Sequence, residues 1–220
     1  MPIIFVSNNI KFIDMIKSMI KSKTNYESYH IVIQDYVPKR KTYYVSPANS
    51  LCFMDGGIDL ALSRIIMPGI EKKVKEKMTS LNIKNKLGRN YLPIGSSMII
   101  PYDNIKNLIV SPTMLLPQNV SKTNNAYYAT MAILYNILIN MKEDINNVNI
   151  IFTSLCCGYG MMTEEESFKQ IINGISDYAK YKPSYCYPDI VLCEPNMNEQ
   201  PKFYMNTEWF DIRPDEIVYK

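Results

Sequence analysis

Two stretches of the chain combine residue types that can do chemistry. The first, Ser46-Pro47-Ala48-Asn49-Ser50-Leu51-Cys52-Phe53-Met54-Asp55-Gly56-Gly57-Ile58-Asp59, sets an amide and two carboxylates around a glycine pair. The second, Ser154-Leu155-Cys156-Cys157-Gly158-Tyr159-Gly160, sets two glycines around a tyrosine. Glycine lets backbone amides approach a ligand closely, and a helix starting behind the first pair favours an anion. The second pair permits the nest of consecutive N–H groups that holds phosphates. Either loop alone is a weak signal, since glycines after a strand are more often plain turns.

Other chemistries find little material. His30 is the one histidine and lies far in sequence from both loops, so histidine triads and histidine metal sites are disfavoured. Adjacent Cys156 and Cys157 point in opposite directions on an extended chain and make a poor metal pair, although one of them can line a pocket. A cysteine-phosphatase loop needs an arginine where Met162 and Thr163 stand. No Gly-x-Gly-x-x-Gly follows the first strand, and no Gly-Lys-Ser/Thr phosphate loop occurs.

Both loops leave the ends of expected strands, and in an open α/β sheet ligands bind beyond the carboxyl ends of the strands. Ile3 to Ser7 reads as a strand, followed by a helix capped by Asn8 or Asn9 with the stripe Phe12, Ile13, Ile16, Met19 and Ile20. His30–Val37 and Thr42–Ser46 are expected strands around a Pro38-Lys39-Arg40-Lys41 turn. Gly56–Ile66 and Glu71–Ile83 read as helices, the latter resting on Val74, Met78 and Leu81. Met98–Pro101 and Leu108–Ser111 are short strands, Thr123–Met141 is a buried helix, and Val148–Ser154 is an apolar strand typical of a parallel sheet. Thr163-x-x-Glu166 is a capping box for a helix with Phe168, Ile171, Ile172, Ile175 and Tyr178 on one face. The alternation predicts an α/β fold, a three-layer α/β/α sandwich with a mixed, mainly parallel sheet. One domain is expected over residues 1–182, with a C-terminal extension, 183–220, containing Trp209 and packed on it.

The chain has 220 residues, 47% hydrophobic and 20% charged, which fits a globular domain and rules out disorder throughout. A net charge of +3 gives no case for a nucleic-acid binder. Ala126–Met141, the longest apolar stretch, is broken by Asn136 and Asn140 and falls short of a bilayer span, so no membrane association is expected. Five cysteines (Cys52, Cys156, Cys157, Cys186, Cys193) form no regular framework, so reduced thiols in a cytoplasmic compartment are the simplest reading. The Lys, Asn and Ile bias hints at an AT-rich source, and for a virus the compartment would be the host cytoplasm.

Taken in order, Gln34-Asp35-Tyr36, Asn49, Gly56-Gly57-Ile58-Asp59, Val110-Ser111-Pro112 and Gly158-Tyr159-Gly160 resemble the macro domain, the ADP-ribose-binding α/β/α module. The ordered set spans roughly Ile3 to Tyr181, and its Ser-Pro-Ala-Asn and Met-Asp-Gly-Gly-Ile-Asp loop is similar to a macro-domain-like branch in bacteria, fungi and viruses. The resemblance implies that Asp35, with the Tyr36 backbone beside it, contacts adenine, and that Asn49 contacts the distal ribose. It implies that Gly56, Gly57 and Ile58 on one side, and Ser154, Cys157, Gly158, Tyr159 and Gly160 on the other, clamp the diphosphate. Asp59 falls where hydrolytic members orient water, with Asn49 helping to position it, and Tyr159 covers the distal ribose. The implied activity is hydrolysis of an ADP-ribosyl bond, on protein or in ADP-ribose 1″-phosphate, with no metal or cofactor. The alternative is a non-catalytic reader of ADP-ribosylated protein or a scavenger of free ADP-ribose.

Departures from the family pattern keep both open. Asn-Ala-Ala-Asn is replaced by Ser46-Pro47-Ala48-Asn49, and Asp55 stands for the first of three glycines. Asp55 is then either a catalytic base or a solvated turn carboxylate. Ser63, followed by Arg64, takes the place of a histidine found in some hydrolytic members, and Cys157 replaces a threonine. Asp59 serves catalysis, or simply complements the dipole of its helix. Asp35 is also readable as an exposed turn residue, although the family resemblance favours adenine contact. Glu164, Glu165 and Glu166 cap their helix, and their charge sends a phosphate to the loop amides rather than the helix terminus.

Overall fold

The computed structural model describes residues 2–20, 26–84, 88–140, 145–178, 185–187 and 190–192. The apolar runs form strands β1 (Ile3–Ser7), β2 (Tyr26–His30), β3 (Thr42–Ser46), β4 (Ser96–Pro101), β5 (Lys106–Val110), β6 (Asn149–Phe152), β7 (Tyr185–Tyr187) and β8 (Ile190–Leu192). They make one eight-stranded sheet in the order β2-β1-β6-β3-β5-β4-β8-β7. β2, β1, β6, β3 and β5 run parallel, and β4, β8 and β7 pair antiparallel at the other end. The mixed, mainly parallel sheet and the α/β/α layering are as the alternation predicts. β7 and β8 extend the sheet beyond Ser96–Met98 of β4. Trp209 and Cys193, with all of 193–220, lie outside the described residues, as does the side chain of Cys186.

Alternation along each strand divides the core into two. On one face Phe5, Tyr43, Val45, Ile109, Ile150 and Phe152 meet Phe12, Ile13 and Ile16 of helix α1 (Ile10–Ile20), Ala129 and Ile133 of α4 (Asn125–Asn140) and Phe168 and Ile171 of α5 (Glu164–Asp177). On the other, Ile4, Val6, Tyr44, Leu108, Val110 and Ile151 meet Leu62 and Ile66, and Ile70, Val74 and Met78 of α3 (Ile70–Leu81). Fully burying each large apolar side chain contributes roughly 1.5–3 kcal/mol. No helix among the described residues is long and apolar enough to cross a membrane.

Several expected elements change. His30–Val37 is not a strand: β2 ends at His30, and the chain turns through a 3-10 helix at Ile33–Asp35. β2 escapes the pattern because it is a half-exposed edge of Tyr, Glu, Ser and His, with no apolar run. Met19 leaves the α1 stripe and is 48% exposed, since Ile20 and Ile16 already fill that face. The helix expected over Gly56–Ile66 is two pieces, α2 (Gly57–Ala61) and a π turn (Leu62–Ile66) in which Met67 N–H reaches back to the Leu62 carbonyl. Of the capping box only one half forms: Thr163 Oγ1 accepts from Glu166 N–H, while Glu166 Oε1 accepts from Gln170.

Candidate functional site

β3 and β6 are neighbours in the sheet and run the same way, so their C-terminal loops rise side by side. The β3–β6 ladder closes at Tyr44↔Ile151, two residues before Ser46, leaving β3 and β6 unpaired with each other beyond that point. Ligands in open α/β sheets occupy such a place. The two glycine loops meet across it. A Cβ added to Gly56 would stand 3.9 Å from Cε2 of Tyr159, a residue that is 73% exposed.

The β3–α2 loop is held from inside. Asn49 Oδ1 accepts from the Leu51 N–H (3.0 Å) and the Phe53 N–H (3.5 Å), and the Asn49 carbonyl accepts from Cys52 N–H. Cys52, buried, takes a left-handed φ of 56° to complete that turn. Ser63 is buried and donates to the Met54 carbonyl at 2.9 Å, fastening the loop to the helical turn behind it. Asp55, Gly56 and Gly57 are exposed at the tip, and Gly57 enters α2 at a φ of +55°. Asn49 spends its oxygen on the loop, while its Nδ2 makes no hydrogen bond among the described residues.

The β6–α5 loop is held by close contact. Gly160 has no room for a side chain: a Cβ would lie 2.1 Å from the Cys156 carbonyl oxygen and 2.8 Å from Cγ2 of Val120. Its own carbonyl accepts from Val120 N–H. Cys156 is buried at a φ of 63°, whereas Cys157 is half-buried with its Sγ against the Leu155 carbonyl. Burial pushes both thiols up, so both are held as thiols rather than thiolates. Gly158 faces open space. Ser154 is half-buried at the loop's start. At the entry to α5, Asn9 Nδ2 donates to Glu164 Oε2, so one of the three glutamates is engaged by the β1–α1 turn. His30 sits beside that turn, its Nε2 3.1 Å from the Asn8 carbonyl.

Asp59 lies beneath the first loop. It is in the first turn of α2, 8% exposed, with Oδ1 accepting from the Ser46 hydroxyl at 2.6 Å. Burial pushes its carboxyl up to about 7; the Ser46 bond opposes this, and Asp55 adds a smaller push upward. Ser46, read from sequence as a missing amide, thus turns under the helix and holds the carboxylate. The other oxygen of Asp59 makes no hydrogen bond among the described residues.

Asp35 and Tyr36 divide. Asp35 is exposed on the 3-10 turn, which touches α2 and the π turn. The Tyr36 ring packs edge-on against Tyr29 (5.6 Å between centroids), and its hydroxyl meets Asn149 at the start of β6, away from the loops. Two residues without a signal in the sequence join the site: Val120, which closes on Gly160, and Thr153, buried at the end of β6 with an unpartnered Oγ1. Ser46 meets Asp59, and Gly56 approaches Tyr159, so the β3–α2 and β6–α5 loops come together at these points. Among the described residues no three His, Cys, Asp or Glu side chains group as metal ligands would.

Residues 4–183 match the family model described as a macro-like domain. Two solved structures are similar. One is a point mutant of the Oceanobacillus iheyensis macrodomain with ADPR, 17% identical, covering 63% of this chain and 70% of that one at a TM-score of 0.48. The other is the macrodomain of Mycobacterium tuberculosis DarG, 16% identical, covering 67% of this chain and 87% of that one at a TM-score of 0.49. A comparison with curated proteins finds no match in sequence.

Proposed function

The chain belongs to the macro-like domain family, and from that premise we propose that the crevice between its glycine loops binds ADP-ribose or an ADP-ribosyl derivative and hydrolyses the ADP-ribosyl bond. The observation that carries this reading is the facing of Gly56 and Tyr159 across the ends of adjacent parallel strands, with Asp59 buried below. Amides of Gly57 and Ile58 on one wall and of Gly158, Tyr159 and Gly160 on the other supply the donors a diphosphate needs without a metal. Asp35, exposed near α2, accepts from the adenine amino group, and the unspent Nδ2 of Asn49 serves the distal ribose.

In the reaction, the ionised Asp59 takes a proton from a water as the water oxygen bonds to C1″ of the distal ribose. The bond from C1″ to the protein side chain or 1″-phosphate breaks, and the leaving group takes up a proton. A base of this kind works best with a proton affinity near the working pH, which burial of Asp59 supplies. The substrate class is protein-linked ADP-ribose or ADP-ribose 1″-phosphate.

Calorimetric titration with ADP-ribose, against AMP and NAD, tests binding; one-to-one selective binding is expected, and no heat at millimolar ligand on folded protein overturns it. Turnover is then measured on ADP-ribosylated protein and on the 1″-phosphate, where Asp59→Ala is expected to abolish activity and retain most affinity. The Ser46–Asp59 bond favours a second reading, a non-catalytic reader or scavenger in which Asp59 is a strut under α2. One equivalent bound and released unchanged would establish that reading instead.

A further inference from the structure

Thr153 is 5% exposed and its hydroxyl oxygen has no hydrogen-bond partner. An unmet buried hydroxyl is costly, so native proteins satisfy such groups, commonly with ordered water. The position says what lies near. Tyr44 and Ile151 pair across β3 and β6 and both face the α2–α3 core. Side chains two residues further on return to the same face. Ser46 and Thr153 therefore stand level, on the α2 side, at the point where the ladder has ended and the crevice opens. Asp59 descends from α2 onto Ser46 with one oxygen and leaves the other unbonded.

We propose that Thr153 Oγ1 and the free oxygen of Asp59 share a water between the ends of β3 and β6, which makes Thr153 a positioning residue for Asp59. Ser46 fixes the carboxylate through its other oxygen, so the two hydroxyls grip the group from neighbouring strands. The water donates to the carboxylate and accepts from, or donates to, the threonine. In the hydrolytic reading, on which this assignment of a role rests, it is the store of water next to the base. Asp55 pushes the Asp59 carboxyl upward, Asp59 in turn raises the buried thiol of Cys52, and neither Asp55 nor Cys52 supplies a hydrogen bond to Asp59.

The test reads Asp59 itself. In the full chain labelled with 13C at aspartate carboxyls, the Asp59 signal is assigned with Asp59→Asn and titrated from pH 5 to 9. Thr153→Val keeps the shape and removes the hydroxyl, so the Asp59 midpoint is expected to rise, equivalent to a threefold to tenfold gain in proton affinity for one lost hydrogen bond. Thr153→Ser is expected to restore it, which a packing effect would not do. An unchanged midpoint in Thr153→Val, or one that Thr153→Ser fails to restore, overturns the proposal. If the midpoint moves as stated while the wild-type protein turns over no ADP-ribosyl substrate, the water site stands and the hydrolytic reading falls.

Discussion

The two walls of the crevice reach similar shapes by different means. Each loop buries a cysteine in a left-handed backbone, Cys52 at a φ of 56° and Cys156 at 63°, but the first runs through Gly57 straight into α2 while the second continues past Gly160 to the Thr163 cap of α5. In the β3–α2 loop the geometry is set by hydrogen bonds from side chains, Asn49 and Ser63, and its tip glycines touch little. In the β6–α5 loop it is set by exclusion, with Gly160 pressed on the Cys156 carbonyl and Val120. A wall held by side-chain bonds can be loosened in steps, whereas one held by backbone contact either fits or does not. The substitutions that separate these cases differ accordingly in size.

Gly160→Ala should have the largest effect. The new methyl would meet backbone at 2.1 Å, and backbone cannot rotate aside. Overpacking of this kind costs roughly 1–3 kcal/mol and more where nothing yields, so urea unfolding should show a loss at the top of that range or beyond. ADP-ribose binding should disappear with it. A fully stable Gly160→Ala protein would mean that the second wall is as adjustable as the first.

Asp59→Asn comes next and its sign depends on pH. The carboxyl titrates near 7 in the folded chain, above the ordinary value of about 3.9 for an unfolded aspartate. Between these values the native state binds more protons than the unfolded state, so this group's contribution is full below about pH 4 and is lost as pH rises through about 7. Wild-type protein should therefore lose stability across that window relative to Asp59→Asn, and the variant should be the more stable of the two at pH 8. Paired urea melts at pH 4.5, 6 and 8 read the difference. Parallel curves for the two proteins would show that Ser46 already compensates the buried charge.

The first wall should answer more mildly. Gly57 sits at a φ of +55°, and a methyl group added there would find nothing within 4 Å, so Gly57→Ala meets only the backbone penalty, about 1–2 kcal/mol for a left-handed residue. Gly57→Asn should recover part of it, since asparagine tolerates that region best among side-chain-bearing residues. Equal melts for the two variants would show that the strain is relieved by a shift of the loop.

How much of this was legible in the sequence follows the same division. Apolar runs buried on both faces mark β1, β3 and β6, and helical spacing marks α1, α3 and α5, because their faces are buried. β2 escapes because an edge strand of polar residues leaves no such trace. Gly56, Gly57, Gly158 and Gly160 announce the two loops, but their contrast does not show, since one letter serves both a left-handed turn and a steric contact. The Ser46–Asp59 bond joins residues 13 apart, on a strand and a helix. Ser46 by itself reads as the loss of an amide. Only the crossing of α2 over β3 reveals that the hydroxyl acts on the carboxylate. Thr153 and Val120 carry no signal, being ordinary residues made significant by their neighbours.

Gly158→Val should have the smallest effect on stability and thereby isolates binding from folding. Gly158 is exposed, its φ is not left-handed, and no atom lies within 4 Å of a Cβ built on it. The added side chain should leave unfolding within about 0.5 kcal/mol of wild type. The same open space is where the proposed diphosphate must approach the amides, so affinity for ADP-ribose should fall at least tenfold, about 1.4 kcal/mol. Gly56→Val provides the matching cut on the opposite wall, where a Cβ would meet only the edge of the exposed Tyr159 ring at 3.9 Å. If both valines weaken binding and spare the fold, the ligand lies between the walls. If only one does, the diphosphate rests on that wall alone, and the other serves to close the crevice over it.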